Sequence, residues 1–384
     1  MNDSIPPPPE QILVGVEAAS SVPPPIDGNF IFWHQADLED KNLDYFYVLT
    51  HMGGKVFIDG GPMDNISPFY LEEIRKGNCT LVIDYKNEGD LGTIYEHTIQ
   101  DHLYWIQSWI DRHNLPSDSV YIIHGNLKIN DSIKERGLSF NGIPYITWDG
   151  VGNWDSLDKP IIEYKPNNSK NLFLSYTRRP HQHRQHFVNE AFKKGIIERG
   201  LVSMPVLPDS LHLEKGFLNM LPLVLDNPTN DNKVNLDESS IQHHEKTFIS
   251  VVLESSTVDG IVFLSEKIFK PLQLGHPFMV LGNKHTLKYL KTLGYKTFSK
   301  WVDESYDGMD SWEDRSKHIV SELKRFSKMN KKLLKNIRED MEEVLAFNKD
   351  IYRENINTQN STSGDYSWLY LILDKIRKSK KQLI

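Results

Sequence analysis

The stretch from Thr247 to Leu281, TFISVVLESSTVDGIVFLSEKIFKPLQLGHPFMVL, restricts the possible fold more than any other part of the chain. Thr247 to Leu253 is a β-branched, apolar run of strand length, Glu266 to Leu274 has helical spacing with Gly275 as its stop, and His276 to Leu281 is apolar again. A strand, a loop, a helix and a second buried strand in that order make a βαβ unit, which belongs to a parallel sheet. On an open parallel sheet a ligand sits beyond the carboxyl ends of the strands, where Glu254 and the loop to Ser265 fall.

Ser265, Glu266 and Lys267 occupy the first turn of that helix, where free backbone amides and the helix dipole favour an anion such as a diphosphate. Lys267 adds a point charge, and the carboxylate of Glu266 suits the two close hydroxyls of a ribose. The plainer alternative is that Ser265 is only an N-cap and Glu266 only offsets the dipole.

A glutamate ending a strand, a loop, the triplet SEK, a helix, and then Gly, Pro and an apolar strand resembles the donor site of the fucosyltransferase-like and exostosin-like glycosyltransferases, which are GT-B enzymes. The resemblance covers about the second half of the chain. It implies that Glu254 lies near the sugar and phosphate of a nucleoside-diphosphate sugar, a GDP- or UDP-sugar, that Glu266 holds the ribose, and that Lys267 meets the diphosphate. The sequence departs from that pattern at Ser255, where an asparagine is usual, and in a longer loop between Glu254 and Glu266. The wider GT-B pattern with seven residues between two glutamates is not matched, so a retaining mechanism does not follow from it. The phrases LGYKTF, at Leu293 to Phe298, and SEKIFKPL resemble ones in phage-encoded relatives.

Length suggests two domains, and a quarter charged with 39% hydrophobic residues is the composition of a globular chain. No apolar run approaches the roughly 20 residues of a membrane span, and MNDSIPPPPE lacks the basic start and apolar centre of a signal peptide, so the expected location is the cytoplasm, that of a host if the protein is viral. The single cysteine, Cys79, excludes an internal disulfide and a cysteine-based zinc site and reads as core. A net charge of -8 argues against a surface built for nucleic-acid backbones, although Lys375 to Lys381 forms a basic end.

The prolines at Pro6 to Pro9 and Pro23 to Pro25 predict an extended arm over 1–28. After it come expected strands at Asn29 to Trp33, Lys55 to Ile58, Thr80 to Asp84, Ser119 to His124 and Tyr145 to Trp148, with a long helix over Thr93 to His113. This alternation predicts a first α/β domain over 29–165. Its strand ends carry Asp59, Asp84 to Asp90 and His124. The glycines after Asp59 lack the third glycine of a dinucleotide fingerprint, and Pro62 interrupts the helix start. An inverting transferase needs a base near the acceptor hydroxyl, and Glu88 and Asp84 are the candidates, ahead of His124.

The polar patch Tyr164 to Lys170 marks the boundary, with a second domain over 166–384 that begins with the strand Asn171 to Tyr176. TRRPHQHRQHF follows at once, with three arginines and three histidines leading into a helix through about Arg199. Guanidinium forks suit phosphate oxygens, and the family resemblance places here an arginine that neutralises the departing diphosphate; Arg184 fits best and Arg178 second. His181, His183 and His186 lack a carboxylate partner for a metal, and no metal is expected. His243, His244 and Glu245 are adjacent and expected to be exposed. Asp226 to Ser240 reads as a surface loop, and two helices are expected over about Ser311 to Phe347 and Asp365 to Lys378.

The expected architecture is thus α/β, with two Rossmann-like domains facing a cleft and C-terminal helices. The expected activity is glycosyl transfer from the nucleotide sugar to a hydroxyl acceptor, a glycan or small molecule, with inversion and without a metal or other cofactor. Two further readings stand beside it: a viral DNA-modifying transferase acting on hydroxymethylated bases, and a non-catalytic nucleotide- or glycan-binding protein.

Overall fold

The computed structural model describes residues 30–31, 45–50, 61–87, 89–95, 98–148, 160–165, 171–205, 214–225, 238–360 and 367–381. The proline arm, the strand expected at Lys55 to Ile58, Asp59, Glu88, most of the Tyr164 to Lys170 patch and most of the Asp226 to Ser240 loop lie outside the described residues. The chain forms two compact units, one up to Ile146 together with the segment from Gln359, the other from Thr147 to Thr358.

In the first unit, β1 (Phe30–Ile31), β2 (Tyr45–Thr50), α1 (Pro68–Arg75), β3 (Cys79–Tyr85), the hairpin β4 (Gly92–Tyr95) and β5 (Thr98–Asp101), α2 (His102–Arg112), β6 (Val120–His124), α3 (Ile129–Glu135) and β7 (Asn141–Pro144) follow in order. The sheet runs β1-β2-β3-β6-β7, parallel except for β1. Each connection from β2 onward steps the same way along the sheet, so right-handed crossovers put α1, α2 and α3 on one face. Ile74, Trp109 and Ile133 of those helices accordingly share a core with Tyr47, Leu81 and Ile122. The opposite face, with Phe46, Val48, Val82, Tyr121 and Ile123, needs a separate cover.

The second unit contains β8 (Phe173–Ser175), α4 (Gln182–Lys193), β9 (Gly200–Val202), α5 (Lys215–Leu218), α6 (Glu238–Lys246), β10 (Ile249–Leu253), α7 (Glu266–Leu274), β11 (Phe278–Leu281), α8 (Thr286–Thr292), α9 (Trp312–Ser327), α10 (Lys331–Asp340) and most of α11 (Glu342–Asn360). Its sheet is parallel throughout in the order β11-β10-β8-β9. The last helix, α12 (Ser367–Lys381), lays Leu369, Ile372, Leu373 and Ile376 on the uncovered face of the first sheet. The division after Ile146, with the last helix in the first unit, differs from the expected boundary at 165/166. The cause is that bare face, which no crossover helix can reach.

Three local expectations are corrected. The long helix over Thr93 to His113 is the β4–β5 hairpin followed by α2. Asp101 caps α2 by accepting the amides of Leu103 at 2.9 Å and Tyr104 at 3.2 Å, and the β-branched Thr93, Ile94, Thr98 and Ile99 before it favour extended backbone. The helix over Ser311 to Phe347 is three helices, because Asn330 caps α10 by accepting the amide of Leu333 at 2.9 Å and the axis breaks again at Met341. His244 is buried rather than exposed, since it sits on α6 with its ring against that of His276. Among the described residues no helix is long and apolar enough to cross a membrane.

Candidate functional site

In the second sheet β8 lies between β9, which follows it in the chain, and β10, which comes after. That reversal makes the carboxyl ends of β8 and β10 the switch point at which open α/β sheets leave room for a ligand. The first sheet, in which β2, β3, β6 and β7 follow one another, has no such reversal. The start of α7 and the loops after β8 and β10 therefore define the candidate site.

The expected βαβ unit is present: β10 pairs with β11 in parallel register from Ser250 opposite Phe278 to Leu253 opposite Leu281, with α7 between them. Ser265 is the N-cap, its hydroxyl accepting the amide of Lys267, and Gly275 ends the helix in the left-handed conformation at φ 62°, which suits a residue without Cβ.

Glu254 is fully buried at the end of β10. Its carboxylate accepts the amide of Ser255 at 3.3 Å, the amide of Ser265 at 3.3 Å and the hydroxyl of Ser265. Burial raises its pKa, against the opposing pull of Lys267 and Ser265. Its carbonyl oxygen is held from the other side of the sheet: it accepts His183 Nε2–H at 2.9 Å and Arg184 Nη2 and Nε at 2.8 and 3.3 Å. Arg184 also donates from Nη1 to the carbonyl of Arg179 at 3.0 Å and is 3% exposed. Its guanidinium is therefore committed to the backbone, tying the loop after β8 to the end of β10. Arg178, three residues past β8, is exposed.

Lys267 and Glu266 are both partly exposed at the start of α7. Lys267 Nζ donates to Glu266 Oε1 at 2.7 Å, Ser255 Oγ at 3.1 Å and Ser265 Oγ at 3.3 Å. Burial works against ionisation of Glu266, but the adjacent Lys267 outweighs it and holds the carboxyl below its ordinary range. Beside these residues a cavity of about 50 Å³ lies between the sheet, α6 and α7, lined among others by Tyr176, His244, Ser250, Lys267, Lys270 and Pro271. Lys270 Nζ lies 5.5 Å from the centre of the Tyr176 ring, whose hydroxyl is 2.8 Å from His243 Nδ1.

The Ser255–Leu264 loop is held at two further points. Asn283 accepts the amide of Phe263 at 3.0 Å and donates to the carbonyl of Val258 at 2.8 Å. Arg315, 1% exposed, donates to the carbonyls of Thr257 at 3.3 Å, Met309 at 2.7 Å and Asp310 at 3.0 Å. Sequence reasoning missed Tyr176, Lys270, Asn283 and Arg315. Lys270 had a local signal, since three residues after Lys267 puts it on the same helix face. Asn283 and Arg315 had none.

In the first unit Asp84, the last residue but one of β3, is buried, and its carboxylate accepts Lys86 Nζ at 2.7 Å and the Lys86 amide at 3.2 Å. Burial raises its pKa, with Lys86 opposing. Glu88 lies outside the described residues. His124 is fully buried and its Nδ1 accepts the amide of Asn126 at 2.9 Å, so in the neutral ring the proton is on Nε2. It offers a donor there, not a base. Of the histidines after β8, His183 holds the Glu254 carbonyl and His186 Nδ1 is 3.1 Å from Ser316 Oγ. Among the described residues no three histidine, cysteine or carboxylate side chains are grouped to hold a metal ion.

No protein-family model matches the chain, and no curated protein matches it in sequence. Among solved structures it is similar to a glycosyltransferase from Rickettsia africae ESF-5, with 12% identity over 85% of this chain and 78% of that one and a TM-score of 0.37, a likeness too slight to carry activity from one to the other.

Proposed function

We propose that the chain is a glycosyltransferase that uses a nucleoside-diphosphate sugar, with the second unit holding the donor. The observation that carries this reading is the coincidence, at the switch point of one sheet, of the Ser265–Glu266–Lys267 helix start with the cavity beside it. Lys267 and the first amides of α7 take the diphosphate and Glu266 the ribose diol, the pair separating as each gains its own partner. Glu254, buried and bonded to Ser265, shapes the sugar end of the site through the Ser255–Leu264 loop rather than by direct contact. Arg178 meets the leaving phosphate in this reading, because Arg184 is committed to the carbonyls of Glu254 and Arg179.

The acceptor oxygen bonds to the anomeric carbon as the bond from that carbon to the phosphate oxygen breaks. The acceptor proton passes to a base, for which Asp84 and Glu88 of the first unit are the candidates, and the electron pair leaves with the nucleoside diphosphate. The reading needs no metal, because a lysine, an arginine and a helix start supply the neutralisation of the leaving group. The acceptor is a hydroxyl of a glycan or a small molecule.

A thermal-shift panel of UDP, GDP, CDP and their sugars tests it. A ligand at about 100 times its dissociation constant stabilises by roughly 2.7 kcal/mol. Lys267→Ala is expected to weaken nucleoside diphosphates by about 1.5–3 kcal/mol and nucleosides hardly at all. A flat panel, or equal losses for both ligand types, overturns the assignment. Sugar transfer, rather than binding alone, separates the enzyme from a binding protein on the same scaffold.

A further inference from the structure

From Lys324 to Arg338 the chain carries seven lysines and arginines and no acidic residue, although its net charge is -8. Leu334 and Arg338, buried one turn apart, fix how α10 is turned, and Arg338 Nη2 donates to the carbonyls of Ile162 at 3.0 Å and Gly275 at 2.8 Å. Lys332, Leu333, Lys335 and Asn336 consequently face outward and are exposed. Lys328, at the end of α9, and Lys331, at the start of α10, are exposed as well. Lys324 Nζ donates to the carbonyl of the exposed Lys194 at 2.9 Å, which joins the end of α4 to the same edge.

The helices do not need this charge. The first turn of α10 has two lysines, Lys331 and Lys332, and no acidic residue, where the helix dipole disfavours cations; Lys331 and Lys335 are a like-charged pair four residues apart. Carboxylates nearby offset little of it. Glu322 takes Arg325 at 2.7 Å, Asp340 takes Lys300 at 2.7 Å, and Glu339 lies 3.7 Å from Lys335 with both side chains exposed. Lys328 and Lys332 make no ion pair among the described residues. Leu333, 43% exposed, stands among these lysines, while Phe326, the one aromatic side chain from Lys324 to Arg338, is buried. An anionic partner is indicated, and the residue types select its kind. Nucleic acid is met by guanidinium forks and aromatic stacking, a bilayer surface by ammonium groups around an apolar side chain that enters the headgroup layer.

We infer that the end of α9 and the outer face of α10 form a docking surface for anionic phospholipid, with the lysines among the headgroup phosphates and Leu333 inserted between them. The attachment is peripheral, and each lysine near the surface contributes about fivefold in binding. It does not depend on the donor reading.

Co-sedimentation of the full chain with vesicles tests it, comparing phosphatidylcholine alone with a mixture of phosphatidylcholine and phosphatidylglycerol at low and high salt. Wild type is expected to bind the mixed vesicles at least about tenfold more tightly than the neutral ones, with the difference shrinking as salt rises. Lys332→Gln with Lys335→Gln is expected to weaken binding about 25-fold, with the melting temperature kept or raised because two like charges leave α10. Leu333→Ala is expected to lose affinity severalfold at low and high salt alike, since its share is apolar. Lys375→Gln with Lys378→Gln, at the basic end of α12, should bind as wild type does. Absence of any preference for the anionic vesicles, or undiminished binding by the α10 double variant, overturns the surface, and so does a loss confined to the α12 variant. If a single-stranded oligonucleotide binds through the α10 lysines and vesicles do not bind, the patch is a nucleic-acid surface and the inference falls.

Discussion

The carboxylate of Glu254 accepts both the amide and the hydroxyl of Ser265, so that one side chain at the end of β10 pins the first residue of the α7 turn across the whole intervening loop. A fully buried carboxylate is costly unless its oxygens are satisfied, and here each is. The loop between the two residues is thereby closed at its base, while Asn283 and Arg315 hold its middle.

Glu254→Ala is expected to destabilise the second unit by about 1.5–3 kcal/mol, the range for hydrogen bonds to a charged group. The loss should appear in urea denaturation, together with faster proteolytic cutting near Val258 to Gly260. An unchanged cutting rate would show that Asn283 and Arg315 hold the loop without Glu254.

The two arginines after β8 should separate by phenotype. Truncating Arg184 removes its hydrogen bonds to the carbonyls of Glu254 and Arg179, which keep His183 and the His181 amide as donors, and the loss of hydrogen bonds from a charged group costs about 1.5–3 kcal/mol. Arg184→Ala should therefore lower the denaturation midpoint markedly, whereas the exposed Arg178→Ala should leave it in place and reduce turnover with a verified donor. A stable Arg184→Ala protein with impaired turnover alone would reverse the assignment.

Acid should weaken both units before their carboxylates titrate. Burial lowers His124 in the first unit and His244 in the second from 6.5 to about 3. The unfolded chain binds protons at these positions below pH 6.5 that the folded chain refuses. The stability they provide is thus complete above 6.5 and falls with pH below it, by about 1.4 kcal/mol per pH unit for each group. Denaturation between pH 7 and 5 measures this, and His244→Gln should lessen the dependence of the second unit, where the buried His183 and His276 act with the same sign, and leave that of the first unit unchanged.

Deleting α12 should unfold the first unit. Four apolar side chains, Leu369, Ile372, Leu373 and Ile376, would leave the sheet, and at about 1.5–3 kcal/mol each the loss rivals the roughly 5–15 kcal/mol stability of a typical domain. Calorimetry should then show one cooperative transition, from the second unit. Two retained transitions would mean that the first sheet tolerates a bare face.

The elements legible in the sequence were those whose pattern is local. The β10–α7–β11 unit was readable because a β-branched run, a serine cap, helical spacing and a terminal glycine act within a few residues. The strands at Cys79–Tyr85, Val120–His124 and Phe173–Ser175 were readable for the same reason. At the site, Ser265, Glu266 and Lys267 could be placed together because one helix turn carries them all. The strand Tyr45–Thr50 is not among those the sequence predicts, and β4 and β5 fall within the helix it predicts over Thr93 to His113, whose apolar spacing they extend.

The sequence by itself determined the α/β class, the parallel pairing of β10 with β11 and the serine-capped start of α7, because the forces behind them are backbone preference, capping and periodic burial over short spans. Tertiary structure alone decided that Arg184 holds a carbonyl 70 residues away, that Asn283 and Arg315 clamp a loop, that Lys270 meets Tyr176, and that α12 returns to the first sheet. Those outcomes depend on which buried polar groups and bare apolar faces the fold creates, and neither exists until distant segments have packed.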